Sequence, residues 1–218
     1  MTLADKHKAA AFSVLADFLP ALAVCGGCSL AVFVEVIWLK TPCADNSLVE
    51  WCQFGLIASA GLIMAILAIR RSRGRAVFLL AAGLFFDMAI RELDACFDVW
   101  FGHGSWIWPV ALVTTVAIAA TAVLTRLSRE SLLEGVRDVQ ASRAFPLLPM
   151  GLFTILCFSR MIGTKVLWRA LGTAPELMWA KRVVEEGVEL LGYAMVFLWV
   201  LSFVRELART DAAGLKTT

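Results

Sequence analysis

The chain has 218 residues, of which 60% are hydrophobic and 17% charged, and its formal net charge is +2. So apolar a composition excludes an ordinary soluble domain and a disordered chain, and the small net charge leaves no separate basic domain for nucleic acid. Apolar stretches of about twenty residues recur, the length a helix needs to cross a bilayer, so the expected fold is all-α: one domain, a bundle of six transmembrane helices.

The first span is expected at about residues 12–39. It is too long for a cleaved signal peptide, and no small-residue cleavage site follows it. Pro20 is a candidate kink, and Cys25 and Cys28 in VCGGCSL read as small residues serving helix packing, with a redox pair as the alternative. Glu35 lies near the outer end of this span. Cys43 and Cys52 flank the first hairpin and are candidates for a disulfide. The second span, about 51–69, opens beside Glu50 and Gln53.

The third span, about 76–99, carries Asp87, Arg91, Glu92, Asp94 and Asp98. Asp87, Arg91, Asp94 and Asp98 fall at i, i+4, i+7 and i+11, which on one continuous helix forms a single stripe. Ionisable groups cost several kcal/mol each in hydrocarbon, so the stripe is expected to face the bundle interior or water. His103 follows in FGHGSW, either as a ligand or as the cap of a turn.

The fourth span is expected at about 106–124, and TRLSRESLLEGVRDVQASRAF reads as its cytoplasmic continuation, with charges of both signs at helical spacing. Pro146 and Pro149 suit the first turn of the fifth span, about 145–164, which contains Arg160. The sixth, about 183–204, begins with KRVVEEGVELLGY, placing Glu185 and Glu189 on one face and Glu186 beside them.

Orientation follows from the basic residues. With the N-terminus inside, thirteen of the twenty Lys and Arg residues fall in cytoplasmic segments, five outside and two, Arg91 and Arg160, within spans. This bias gives both termini in the cytoplasm and a multi-pass protein of the inner (plasma) membrane, with membrane lipid as its first partner. Trp38, Trp51, Trp100, Trp106, Trp108, Trp168 and Trp179 then form an outer aromatic belt.

In that orientation five of the six spans send polar groups to the outer half, acids from four of them and Arg160 from the fifth, while AVFLLAAGLFF, LIASAGLIMAIL, VALVTTVAIAATAVL and YAMVFLWVLSFV offer no charged group inside. A pocket open to the outside fits this pattern better than a path through the membrane. The expected site has Asp87, Glu92, Asp94, Glu185, Glu186 and Glu189 as acid–base groups, with Arg91 and Arg160 binding an anionic group of the substrate. His103, Asp94 and Asp98 are candidate ligands of a divalent metal, with oxygen-rich donors favouring Mg, Mn or Ca.

The resulting expectation is hydrolysis or group transfer on a lipid-linked or amphipathic substrate. An ion or small-solute transporter and a non-catalytic accessory or sensing protein are the alternatives. A structural reading stands beside these: Arg91 paired with Asp87 or Asp94 fixing helix register, and Lys181–Glu185 and Arg182–Glu186 as solvated i, i+4 pairs.

Overall fold

The computed structural model describes residues 3–41, 43, 46–128 and 132–214. Regular structure among them is entirely helical. Helix α1 (Leu3–Phe33) runs on through a π-helical turn (Val34–Trp38), and α2 (Leu48–Arg70), α3 (Arg75–Glu92), α4 (Asp94–Phe101), α5 (Ile107–Ser128) and α6 (Leu132–Gln140) come next. Helix α7 (Leu147–Phe153) passes through a second π-helical turn (Thr154–Phe158) into α8 (Ser159–Ile162), before α9 (Lys165–Leu171) and α10 (Pro175–Gly214).

Phe18–Trp38, Leu48–Arg70, Ile107–Arg126 and Pro175–Asp211 are each long and apolar enough to cross a membrane. Leu147–Ile162 with Lys165–Leu171, bent by 45°, makes a fifth candidate. Large apolar side chains such as Ile69, Leu112 and Ile118 stand exposed on these helices, an arrangement hydrocarbon satisfies and water penalises. The fold is that of a helical membrane protein.

The organising element is α10. Its 40 residues rise about 60 Å, twice the hydrocarbon thickness, so it must project beyond the bilayer. It starts at Pro175, ahead of the expected Val183, because proline at the first helical position and the helix formers of ELMWAK extend it outward. It packs against α1, α2 and α7, while α2, α3 and α5 lie side by side.

The core between α2, α3 and α10 holds Ile57, Met64, Phe85 and Trp199, all nearly inaccessible. Trp199 stacks on Phe203 at 5.6 Å between ring centroids, and Phe85 and Phe78 meet these two rings edge-on. Close approach of α7 to α10 depends on two glycines. A Cβ at Gly151 would stand 2.8 Å from the Gly192 carbonyl oxygen, and one at Gly192 would stand 2.6 Å from Ile155.

The expected third span does not hold as one helix. It breaks at Leu93, whose φ of −102° and ψ of 15° lie in the bridge region, and its N–H closes a tighter bond to the Ile90 carbonyl oxygen at 3.1 Å. Helix α4 buries none of its residues and exposes Val99, Trp100 and Phe101, the signature of a short interfacial helix. The stripe from Asp87 to Asp98 is therefore divided between two helices.

Pro146 and Pro149 sit at the cap and in the first turn of α7, and Pro20 is accommodated inside α1, as their positions imply. The link between the fourth span and α6 passes through residues 129–131; these, with Arg129 and Lys216 of the orientation count, lie outside the described residues. At this end of the bundle Arg73 grips Asp138 of α6 with two bonds of 2.8 and 2.9 Å, and Arg71 pairs with Asp211 of α10.

Candidate functional site

The site is built around one face of α10. Lys181, Glu185, Glu189 and Tyr193 recur every four residues, so their side chains line one stripe. Glu189 is 3% exposed and Tyr193 fully buried, in a segment where an unpaired charge would not be tolerated. Their partners come from two other elements.

From α8, the Arg160 Nη2 donates to Glu189 Oε1 at 2.9 Å, and its Nη1 approaches Glu185 Oε1 at 3.9 Å. From the end of α3, the Arg91 Nη2 donates to Glu92 Oε1 at 2.6 Å and stands 3.9 Å from Glu189 Oε2. The Tyr193 hydroxyl donates to the same Glu92 oxygen at 2.7 Å. Glu189 thus lies between two guanidiniums, one facing each of its oxygens.

The Ser159 hydroxyl lies 2.9 Å from Glu189 Oε1 and 2.7 Å from the Ile155 carbonyl oxygen, and its single proton serves one acceptor at a time. Both Ser159 and Arg160 come directly after the π-helical turn Thr154–Phe158. A π turn inserts an extra residue into the helix and rotates the residues beyond it, which directs this pair toward α10.

Lys181 closes the N-terminal end of the stripe by donating to Glu185 at 2.5 Å. The Glu185 carboxylate lies against Gly163, where a Cβ would stand 2.0 Å from Oε1, so only glycine leaves it this position. Glu186 turns instead toward α2, where the buried Gln53 amide donates to its carboxylate at 3.1 Å and to its main-chain carbonyl at 3.0 Å. The expected Arg182–Glu186 pair is replaced by this contact, whereas Lys181–Glu185 forms.

Four carboxyls, Glu92, Glu185, Glu186 and Glu189, thus share one layer with three cations, Arg91, Arg160 and Lys181. Glu92 and Glu189 are more buried than the arginines they pair with. Arg160 and Arg91 keep 49% and 34% of their side chains exposed, against 4% for Glu189 and 7% for Glu92. The two guanidiniums are therefore the accessible partners of buried acids, whereas Lys181 and Glu185 are buried alike, and an anion approaching the layer would meet guanidiniums before carboxylates.

The remaining candidates lie elsewhere. Asp87 faces α5 and accepts from the Thr114 hydroxyl at 2.5 Å, so it is Glu92, not Asp87 or Asp94, that pairs with Arg91. Asp94 opens α4, half-exposed, and among the described residues it makes no ion pair. Asp98 accepts from His103 Nδ1 at 2.8 Å and from the Gly104 N–H at 2.7 Å, shaping the turn before α5. The His103 side chain is 99% exposed. Among the described residues no three His, Cys, Asp or Glu side chains are grouped to hold a metal ion, so the carboxylate–imidazole centre gains no support from the geometry.

The His103 ring, and then the Gly104 N–H, hold the Asp98 carboxyl below the usual carboxylate range. A lowered pKa in the folded state contributes stability that is present at neutral pH and lost as pH falls through the lowered value. Hydrogen exchange of the Gly102–Ser105 amides is accordingly expected to stay slow until the medium is more acidic than about pH 4. In Asp98→Ala these amides are expected to exchange at least about tenfold faster already at pH 7; unchanged exchange would show that Asp98 does not hold the turn.

Glu35 is buried in the first π-helical turn. It accepts from the Leu48 N–H at 2.7 Å and from the Thr41 hydroxyl, which makes it an anionic cap for the start of α2. All six cysteines are free, including Cys43 and Cys52. Burial, reinforced by Glu35 and Glu186, pushes the Cys43 thiol up to about 11, so it is a neutral apolar side chain at pH 7.

Sequence reasoning missed Ser159 and Tyr193 as members of the layer. A signal existed for Tyr193, the chain's one tyrosine, four residues beyond Glu189. Ser159 adjoins Arg160 in sequence and would ordinarily point to another face. Compared with known protein families, curated proteins and solved structures, the chain matches none of them.

Proposed function

We propose that this is a plasma-membrane protein of six crossings, formed by α1, α2, α3, α5, the α7–α8 unit and α10, with both termini cytoplasmic. Its outer-half cluster binds the anionic group of a lipid-linked or amphipathic substrate and carries out hydrolysis or group transfer. The observation that carries this reading is Glu189, held between Arg160 and Arg91 with the Ser159 hydroxyl on one of its oxygens. Arg160 and Arg91 receive the anion, and Glu189 takes up a proton from the attacking hydroxyl or water as general base. Glu185, bonded to Lys181, lies within reach of the same guanidinium as a second carboxyl.

Transport is the weaker reading because the cluster stops at an aromatic floor. Phe85, Trp199 and Phe203 are buried below it, and a permeating solute would have to displace stacked rings.

Two measurements test the proposal. Reporter fusions at Gly135 and at the C-terminus are both expected to report cytoplasm, and a signal from the outer side at either position would overturn the topology. Binding of an alkyl phosphate to purified protein is expected to weaken about tenfold or more in Arg160→Gln and to be unaffected in Arg169→Gln, on the exposed face of α9. Equal affinity in all three proteins would contradict anion capture by the cluster.

A further inference from the structure

The opposite end of α10 carries a second set of cations. From Leu190 to Val204 the helix has no ionisable residue except Tyr193, and Arg205 lies about 24 Å along the axis from Glu189. The outer cluster and this end therefore belong to the two faces of one bilayer.

Here the turn between α6 and α7 folds against α10, and a cavity of about 510 Å³ opens between them. Arg143 of the turn and Arg205 and Arg209 of α10 line it, with Ser202 at its deeper end. Glu206 is its one lining carboxylate, and it already accepts from the Arg143 main-chain N–H at 3.2 Å. That bond fixes the turn to the helix, so the cavity walls are held by the backbone.

A neighbouring cavity of about 460 Å³ provides the contrast. Its arginines are neutralised, Arg71 by Asp211 and Arg73 by Asp138. Among the described residues neither Arg143 nor Arg205 has a carboxylate within ion-pair distance of its side chain. Arg143 and Arg205 against Glu206 leave the first cavity with an excess of positive charge. It straddles the boundary between the apolar stretch ending at Val204 and the polar tail of α10.

We propose that this cavity binds the phosphate of an acidic phospholipid headgroup from the leaflet opposite the outer cluster. Planar guanidiniums suit phosphate oxygens, and a basic cavity between helices at the membrane boundary is where such headgroups bind. Ser202 lies where the glycerol end of the lipid enters, and the exposed apolar face of the bundle receives its chains.

The test uses the full chain in nanodiscs containing phosphatidylglycerol with a photoreactive headgroup, with crosslinks mapped by peptide mass spectrometry. Crosslinks are expected in residues 141–144 and 202–210, and they are expected to fall about tenfold in Arg143→Gln/Arg205→Gln while Arg73→Gln leaves them unchanged. Glu206→Gln, which keeps an oxygen for the Arg143 N–H and removes the opposing charge, is expected to increase them. Unlabelled phosphatidylglycerol is expected to compete and phosphatidylcholine not to. Crosslinking that survives the double substitution, or competes equally with phosphatidylcholine, would overturn the proposal. Competition by inorganic phosphate but not by phosphatidylglycerol would assign the cavity to a soluble anion and equally overturn the lipid assignment.

Discussion

Arg160→Leu is expected to lower the stability of the purified protein by about 3 kcal/mol, more than removal of its partner does. The reason is the unequal burial of the pair. Without Arg160, the Glu189 carboxylate remains 4% exposed with Arg91 3.9 Å away as its nearest cation. Without Glu189, by contrast, Arg160 can turn its half-exposed side chain to water, and Arg91 still holds Glu92. Glu189→Leu is therefore expected to cost only about 1–2 kcal/mol, and the double substitution Arg160→Leu/Glu189→Leu to recover much of the loss. Thermal unfolding in one detergent measures all three. If Arg160→Leu proves no more harmful than Arg169→Leu, the buried network does not hold α8 to α10.

Gly151→Val is the substitution outside the cluster with the largest expected effect. Its first side-chain carbon would meet the Gly192 carbonyl oxygen at 2.8 Å and Val196 at 2.9 Å, and a backbone oxygen cannot rotate away. Helix α7 would have to move off α10, at a cost of about 3 kcal/mol. The site would move with it, because Ser159 and Arg160 continue from α7 through the π turn. Loss of both stability and anion binding is therefore expected from a residue that touches neither. Gly55→Val, where a Cβ would meet nothing within 4 Å, is the matched control and is expected to stay within about 0.5 kcal/mol. Equal melting temperatures for the two variants would show that the α7–α10 contact is not tight.

What the sequence disclosed depended on how local the signal was. Apolar length located α2, α5 and α10, because a bilayer demands it of any crossing helix. The i, i+4 spacing of Glu185 and Glu189 identified the face of α10 that carries the ion-pair network, and the two arginines within apolar spans, Arg91 and Arg160, pair with its acids. What failed was the assumption of uninterrupted helical phase. Leu93 breaks the third span, so the aligned acids Asp87, Asp94 and Asp98 separate, and Glu92, which the stripe leaves out, turns inward to Tyr193. The π turns have the opposite effect, bringing Glu35 and Ser159 to buried positions that a regular 3.6-residue repeat would not assign them. Such departures arise from contacts between helices, which spacing within one helix does not encode.

In the proposed reaction Glu189, between its two guanidiniums, does chemistry on an amphipathic substrate. The most direct test incubates proteoliposomes made from a total bacterial lipid extract with the wild-type protein, with Glu189→Gln and with Ser159→Ala, and compares the lipid species by mass spectrometry. A species consumed and a product formed by the wild type, with the rate reduced about a hundredfold or more in a folded Glu189→Gln protein, is the predicted result. Identical lipid profiles for wild type and Glu189→Gln, both folded and both inserted, would contradict it and leave the network as a structural clasp between α3, α8 and α10.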